Sequence, residues 1–291
     1  MKKAVFLFDY TGIMAKPWAD AGYLCYCFDG QHNQGVTKSN HQNILNVGMW
    51  FDNDGLYGVN DSDINKIKII TGNDVSFVFG FPECTDLTVA GAKHFKSKEK
   101  IDPRFQFKAM QLVFLTKNLG EYLGCPWAFE NPVGVISSMW RKPDFSFNPC
   151  DFGGYLPEND ENPLYPEVYP PRDAYWKKTC IWHGNGFVMP EIKQVGGDGQ
   201  DLVNGKLPFK NEAYERRRAS FDGFNGKRID TVTRELKYPL YTEECFPIKQ
   251  DNPGWKHCGG KSLRTKNIRS ATPRGFAKAV FLSNGAINET N

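Results

Sequence analysis

Cys84 is the residue best placed for covalent chemistry. It closes Phe81-Pro82-Glu83-Cys84, directly after the apolar run Val75-Ser76-Phe77-Val78-Phe79. That run predicts a buried strand, and a proline-braced turn at its end holds a thiol rigidly and partly exposed. Trp127-Ala128-Phe129 predicts the next strand, which ends in Glu130-Asn131-Pro132. A thiolate and a carboxyl group meeting at one rim form a useful pair. The thiolate adds to an electron-poor ring carbon, while the carboxyl group protonates or hydrogen-bonds a ring nitrogen. Three more acidic residues end predicted strands in the same way. Asp9 follows Ala4-Val5-Phe6-Leu7-Phe8, Asp29 follows Leu24 to Phe28, and Asp52 follows Asn46 to Phe51.

Helices are expected between these strands. Pro17 to Ala21 reads as a short one, with proline early in it and Gly22 closing it. Pro103 to Leu119 reads as a longer one, because Phe107, Met110, Gln111, Phe114 and Leu115 recur at helical spacing. Strands alternating with helices predict an α/β fold with a doubly wound, mostly parallel, Rossmann-like sheet. Ligands in such sheets bind beyond the carboxyl ends of the strands. Asp9, Asp29, Asp52, Cys84 and Glu130 all fall at those ends, and five of them on one rim are better explained by a site than by loop polarity.

Periodicity is lost from Pro143 to Pro171, where prolines and aromatics are frequent. Thr179-Cys180-Ile181-Trp182 reads as a returning strand. Residues 190–258 differ in character from the rest and read as a small irregular module. Thr272 to Leu282 reads as a loop followed by a helix. The expected division is 1–189, 190–258 and a C-terminal segment, 259–291, returning to the first domain.

Composition bounds the alternatives. Of 291 residues, 40% are apolar and 24% charged, which fits a chain with a real core and excludes wholesale disorder. No apolar run approaches the roughly 20 residues of a membrane span. Lys2 and Lys3 mimic the start of a signal peptide, but the apolar run after them stops at Asp9. The chain therefore reads as soluble, not exported and away from membranes, so free thiols are the default among its eight cysteines. Cys25 and Cys27 share one face of a strand and read as buried filler. Cys150, Cys180, His183, His257 and Cys258 fit no paired metal-ligand spacing, so no metal is expected. The net charge of +3 hides an asymmetry: residues 206–291 carry 17 Lys+Arg against 9 Asp+Glu. A basic C-terminal third on a mildly acidic remainder suits a polyanion gripped from one side.

In order and spacing the motifs resemble those of the DNA cytosine-C5 methyltransferases, in a divergent, phage-type branch. Phe8-Asp9-Tyr10-Thr11-Gly12 looks like the family's first motif, where S-adenosylmethionine meets the turn after the first strand. The resemblance implies cofactor contacts from Phe8, Asp9, Thr11 and Gly12, with Asp29 holding the ribose hydroxyls and Phe51-Asp52 meeting the adenine. Phe81-Pro82-Glu83-Cys84 is similar to the family's Pro-Pro-Cys loop. That implies Cys84 as nucleophile and Pro82 beside the cofactor. Glu83 stands where the family has a second proline, which disfavours a thiolate next to it unless the glutamate turns away. Glu130-Asn131-Pro132-Val133 is similar to the family's Glu-Asn-Val, implying Glu130 at cytosine N3 and its amine, with Asn131 against the substrate. Lys177 takes the place of the first arginine of the Gln-x-Arg-x-Arg strand. Ser270-Ala271-Thr272-Pro273 looks like the last motif, implying Ser270 and Thr272 at the cofactor. Residues 190–258 then fall where the target-recognition module belongs.

The activity implied is methyl transfer from S-adenosylmethionine to C5 of cytosine in double-stranded DNA, with the base flipped out. It is expected of a monomer in the cytoplasm of a bacterial or phage-infected cell. RNA or a modified pyrimidine as substrate, or a catalytically weak nucleic-acid binder, are the other readings of the scaffold. Arg216, Arg217, Arg218, Lys227 and Arg228 are the expected phosphate contacts. Asp86 reads as a helix N-cap in the catalytic loop, His183 as a structural loop residue, and the tryptophans mostly as core, with the substrate cleft as the other reading of Trp140. Gly259-Gly260-Lys261-Ser262 resembles a phosphate loop, but Trp255 stands where its first glycine belongs and no strand precedes it.

Overall fold

A computed structural model describes residues 1–55, 58–196 and 262–285. Among these, an eight-stranded sheet has the order β3-β4-β2-β1-β5-β6-β8-β7. The strands are β1 Lys3–Leu7, β2 Leu24–Phe28, β3 Gly35–Lys38, β4 Ile44–Gly48, β5 Val75–Gly80, β6 Trp127–Pro132, β7 Phe145–Phe147 and β8 Thr179–Gly184. Strands β4, β2, β1, β5 and β6 are mutually parallel. Taken in chain order they stand third, second, first, fourth, fifth, the order of doubly wound Rossmann-like sheets. Antiparallel pairing adds β3 at one edge and β8 with β7 at the other.

The central strands are continuous apolar runs because helices cover both faces of a parallel sheet. Ala4 to Leu7, Cys25 to Phe28 and Phe77 to Phe79 are buried. Helices α1 Ala15–Asp20, α2 Asp61–Thr71, α3 Phe95–Ile101, α4 Phe105–Leu123 and α5 Ile136–Met139 connect them. In α4 the buried residues Met110, Val113, Phe114 and Leu119 form the inward stripe. Its last turn runs past the expected Leu119 to Leu123, and a left-handed Gly124 closes it. Trp18 of α1 stacks on Phe77 of β5 at 4.1 Å and meets Phe281 edge-on at 5.3 Å.

The chain divides into two compact units. The first holds the whole sheet, with Met1–Phe147, Lys178–Pro190 and residues 280–285. The described part of the second comprises Asn148–Lys177, 191–196 and 262–279. It contains helix α6 Leu263–Ser270, N-capped by the Ser262 side chain, and the first turns of α7 Arg274–Asn284. An ionic knot organises this unit. The Arg274 guanidinium forks onto Asp160 at 2.5 and 2.6 Å, and buried Asp173 accepts the Gly275 amide at 2.8 Å.

Several expectations need correction. The third parallel strand is Ile44–Gly48, not Asn46 to Phe51, because the pairing with β2 ends at Val47. Strands β3 and β7 and helices α2, α3, α5 and α6 were not anticipated: β3 and β7 are short and largely exposed, α3 and α5 span only seven and four residues, and α2 and α6 are mostly polar. Asp86 caps no helix. Its carboxylate pairs with Lys98, and its carbonyl accepts Gln106 Nε2 at 3.2 Å. His183 lies in β8 opposite Ala128, with its ring between Phe145 and Phe187. Trp140 packs on Phe114 at 5.5 Å and Phe129 at 6.2 Å, with Arg141 stacked over it. It closes the edge of the core. Cys25 and Cys27 are fully buried, as expected of filler.

Candidate functional site

Strand register places the carboxyl ends of four strands on one line. Leu7 pairs with Phe28 on one side and Gly80 on the other, and Gly80 pairs with Phe129. The next residues along are Asp29, Phe8, Phe81 and Glu130. The order reverses direction between β1 and β5, which is where ligands bind in sheets of this kind. Asp9 and Cys84 lie in the loops on either side of that switch point.

The β1 loop is folded around Asp9. Phe8 adopts φ 60°, a left-handed conformation costing a non-glycine residue of order 1 kcal/mol. Its amide donates to the Phe28 carbonyl at 2.6 Å, and its ring packs edge-on against Phe51 at 5.1 Å. Asp9 is 2% exposed, and its Oδ1 accepts the Gly12 amide at 2.8 Å and the Thr11 hydroxyl at 3.1 Å. Asp9 Oδ2 is buried with no hydrogen-bond partner among the described residues. Burial pushes the Asp9 carboxyl up to about 6, against the hydrogen bonds from Gly12 and Thr11.

The sign of that shift gives a stability prediction. A carboxyl raised from 3.8 to about 6 holds its proton more tightly folded than unfolded. The fold bears little penalty at pH 4, loses stability as pH rises from about 4 to about 6, and carries a constant penalty of about 3 kcal/mol above that. Asp9→Asn keeps the Oδ1 acceptor and removes the charge. It is expected to raise the melting temperature at pH 8 and to leave it unchanged at pH 4. Thermal denaturation at both pH values checks this, and an equal shift at both would contradict it.

Asp29 follows β2 directly. Its Oδ1 accepts the Gln31 amide at 2.7 Å. Burial raises its pKa, the Gln31 bond and His32 oppose this, and the Glu83 charge adds to it. Tyr10 and His32 stack at 5.2 Å, and burial holds the His32 imidazole below its ordinary value. Neither Tyr10 nor His32 was singled out from sequence. Trp50 was also missed. Its indole lies over Gly30, where a β-carbon would come within 2.4 Å of the ring, yet Trp50 is 79% exposed. A glycine after Asp29 is the only sequence trace of that contact.

Asp52 lies four residues beyond β4 rather than at its end. It is exposed, its Oδ1 accepts the Asp54 amide at 2.9 Å, and its own amide donates to Asp63 Oδ2 at 2.8 Å. Phe51, beside it, is tied to the site through Phe8 and Phe28.

The Cys84 loop is braced at three levels. Buried Asn131 donates from Nδ2 to the Pro82 carbonyl at 2.9 Å. The Cys84 carbonyl accepts the Leu87 and Thr88 amides, both at 3.0 Å. The Val89 amide then donates to Val133 O and the Val135 amide to Leu87 O, at 3.1 and 2.7 Å. This zips the segment after Cys84 to the segment after Glu130. Gly134 makes the approach possible, because a β-carbon there would lie 1.8 Å from the Leu87 carbonyl oxygen. Cys84 and Glu130 are both half-buried. Glu83 is exposed and accepts the Thr85 hydroxyl at 2.9 Å.

Asp9, Asp29, Cys84 and Glu130 are thus brought to one rim of the first unit. Lys177, Ser270 and Thr272 belong to the second unit. Lys177 is half-buried just before β8, Ser270 is exposed at the end of α6 with its hydroxyl on the Asn267 carbonyl, and Thr272 is buried. Arg216, Arg217, Arg218, Lys227 and Arg228 lie outside the described residues, as do His257 and Cys258. Among the described residues no three His, Cys, Asp or Glu side chains gather to hold a metal ion. No described helix is long and apolar enough to cross a membrane. No family model matches the chain, and no curated protein matches it significantly.

Proposed function

We propose that the chain transfers a methyl group from S-adenosylmethionine to C5 of cytosine in DNA, with Cys84 as nucleophile and Glu130 as the group at N3. The observation that carries the reading is the bracing of the Cys84 loop against the segment after Glu130, at the switch point of a doubly wound sheet. A nucleophile must be held while a base is presented to it, and rigid positioning is the part of catalysis a scaffold supplies.

The residues at the rim fit the cofactor. Asp29 offers a carboxylate to ribose hydroxyls, and Asp9 Oδ2 is a buried acceptor among the described residues. Two carboxyl groups on adjacent loops also suit a cationic sulfonium. Phe8, Thr11, Gly12 and Pro82 supply the walls, and Phe51 with Asp52 the adenine side. The assignments of Lys177, Ser270 and Thr272 rest on the sequence resemblance. When bound, the cofactor supplies an electrophilic methyl group. Cys84 adds to C6 of a cytosine flipped from the stack, while Glu130 holds a proton at N3. C5 becomes nucleophilic and takes the methyl group, the sulfur–methyl bond breaking to leave a neutral thioether, and C5 then loses its proton to solvent base as the Cys84–C6 bond breaks.

Asp29→Ala is expected to weaken S-adenosylmethionine binding by about 10- to 100-fold, the worth of charge-assisted hydrogen bonds to two hydroxyls. Calorimetric titration of the cofactor into both proteins checks this, and unchanged affinity would remove Asp29 from the site. The whole reading is tested by incubating the protein with labelled cofactor and cytosine-containing duplex. Label recovered as 5-methylcytosine supports it, and label recovered in RNA alone or in no nucleoside counts against it.

A further inference from the structure

The segment after Cys84 carries a charge pattern that the reaction itself does not need. Residues 89–101 hold four lysines, Lys93, Lys96, Lys98 and Lys100, against the single acid Glu99. They form a 3-10 turn, Val89–His94, running straight into α3, Phe95–Ile101. Lys98 turns to the protein and pairs with the carboxylate of Asp86, two residues from Cys84, and Gln106 donates to the Asp86 carbonyl. Lys93, Lys96 and Lys100 are exposed and form no ion pair among the described residues. Lys96 and Lys100, four residues apart, share one face of α3, and Lys93 precedes Lys96 by three residues in the 3-10 turn. Like charges at that spacing repel, so the face is stabilised by a polyanion laid across it. It spans about 10 Å, the axial rise of about three phosphates on one strand of a duplex.

We propose that Lys93, Lys96 and Lys100 form a phosphate-backbone contact surface for duplex DNA, built into the catalytic unit and tied to the nucleophile's loop through Lys98 and Asp86. The inference rests on the DNA-directed reading above. It adds a grip on the substrate that is separate from the basic C-terminal third. The lysines position the strand next to the target and read no sequence, because ammonium groups on phosphates carry none.

The test is the salt dependence of binding to a labelled duplex, measured by fluorescence anisotropy. The comparison is between the full chain, the triple variant Lys93→Gln/Lys96→Gln/Lys100→Gln, and Lys38→Gln as a charge control on β3. Each lost phosphate contact lowers the slope of log K against log salt by about 0.9. The triple variant is expected to lose about 2 to 3 of that slope, and the control to match the parent. Circular dichroism verifies that the variant is folded. A parent that binds while the triple variant keeps its full slope overturns this surface and leaves the catalytic reading standing. A lost slope in a protein that forms no adduct with 5-fluorocytosine DNA keeps the surface and overturns the chemistry. A parent that does not bind duplex overturns both.

Discussion

Cys84→Ala is expected to lower methyl transfer by on the order of 10⁴-fold or more, leaving no covalent route to activate C5. The loss should appear in the rate and not in the fold. The Cys84 backbone is held by the Leu87 and Thr88 amides on its carbonyl, and the loop by Asn131 on Pro82. Alanine keeps all three bonds, and deleting one half-buried sulfur alters stability by about 1 kcal/mol at most. Cofactor affinity should stay within about twofold of the parent, since Asp9 and Asp29 are untouched. Single-turnover transfer with labelled cofactor, paired with a melting curve, separates these outcomes. Transfer at more than a few per cent of the parental rate would remove Cys84 from the chemistry.

Glu130→Gln is expected to lower the rate by about 10²- to 10⁴-fold, the range for loss of a positioned general acid. Glutamine still hydrogen-bonds to the base but cannot hold the proton that makes the ring electron-poor. Glu130 lies within β6, paired with Ile181 of β8, so the substitution leaves its backbone in place. A pH–rate profile gives the sharper test. The parental profile should show an ionisation that the variant lacks, and a variant with an unchanged profile would place the proton elsewhere.

Much of the scaffold is legible in the residues. The runs Ala4–Leu7, Leu24–Phe28 and Val75–Phe79 are uninterrupted apolar strands because both sheet faces are covered, and such runs announce themselves. Asp29 and the Phe81–Cys84 turn follow from those strands by adjacency, and Glu130 follows from the shorter run Trp127–Phe129. Asp52 does not. Its strand ends at Gly48, and the apolar Met49 to Phe51 extend the pattern without extending the pairing. Helix α2 was missed because its buried side mixes Ile64 and Ile67 with Asp63 and Thr71, while Ile69 on the exposed side blurs the apolar period. The contacts that make the rim a site are long-range. Asn131 on Pro82, Gly134 against Leu87 and Trp50 over Gly30 join segments whose spacing in sequence carries no period. The acidity of the rim is similarly hidden, because Asp9 is an ordinary aspartate until burial raises it.

The central claim is that Cys84 forms a bond to a pyrimidine ring presented beside Glu130. Duplex DNA containing 5-fluorocytosine tests it most directly, since fluorine at C5 blocks the final proton loss and freezes the adduct. The protein is incubated with that duplex and S-adenosylmethionine, denatured, digested and mapped by mass spectrometry. The account predicts a denaturation-stable complex whose modified peptide carries the nucleotide on Cys84 and is absent from Cys84→Ala. A complex mapped to another residue, or no covalent complex from protein that binds both cofactor and duplex, would contradict it.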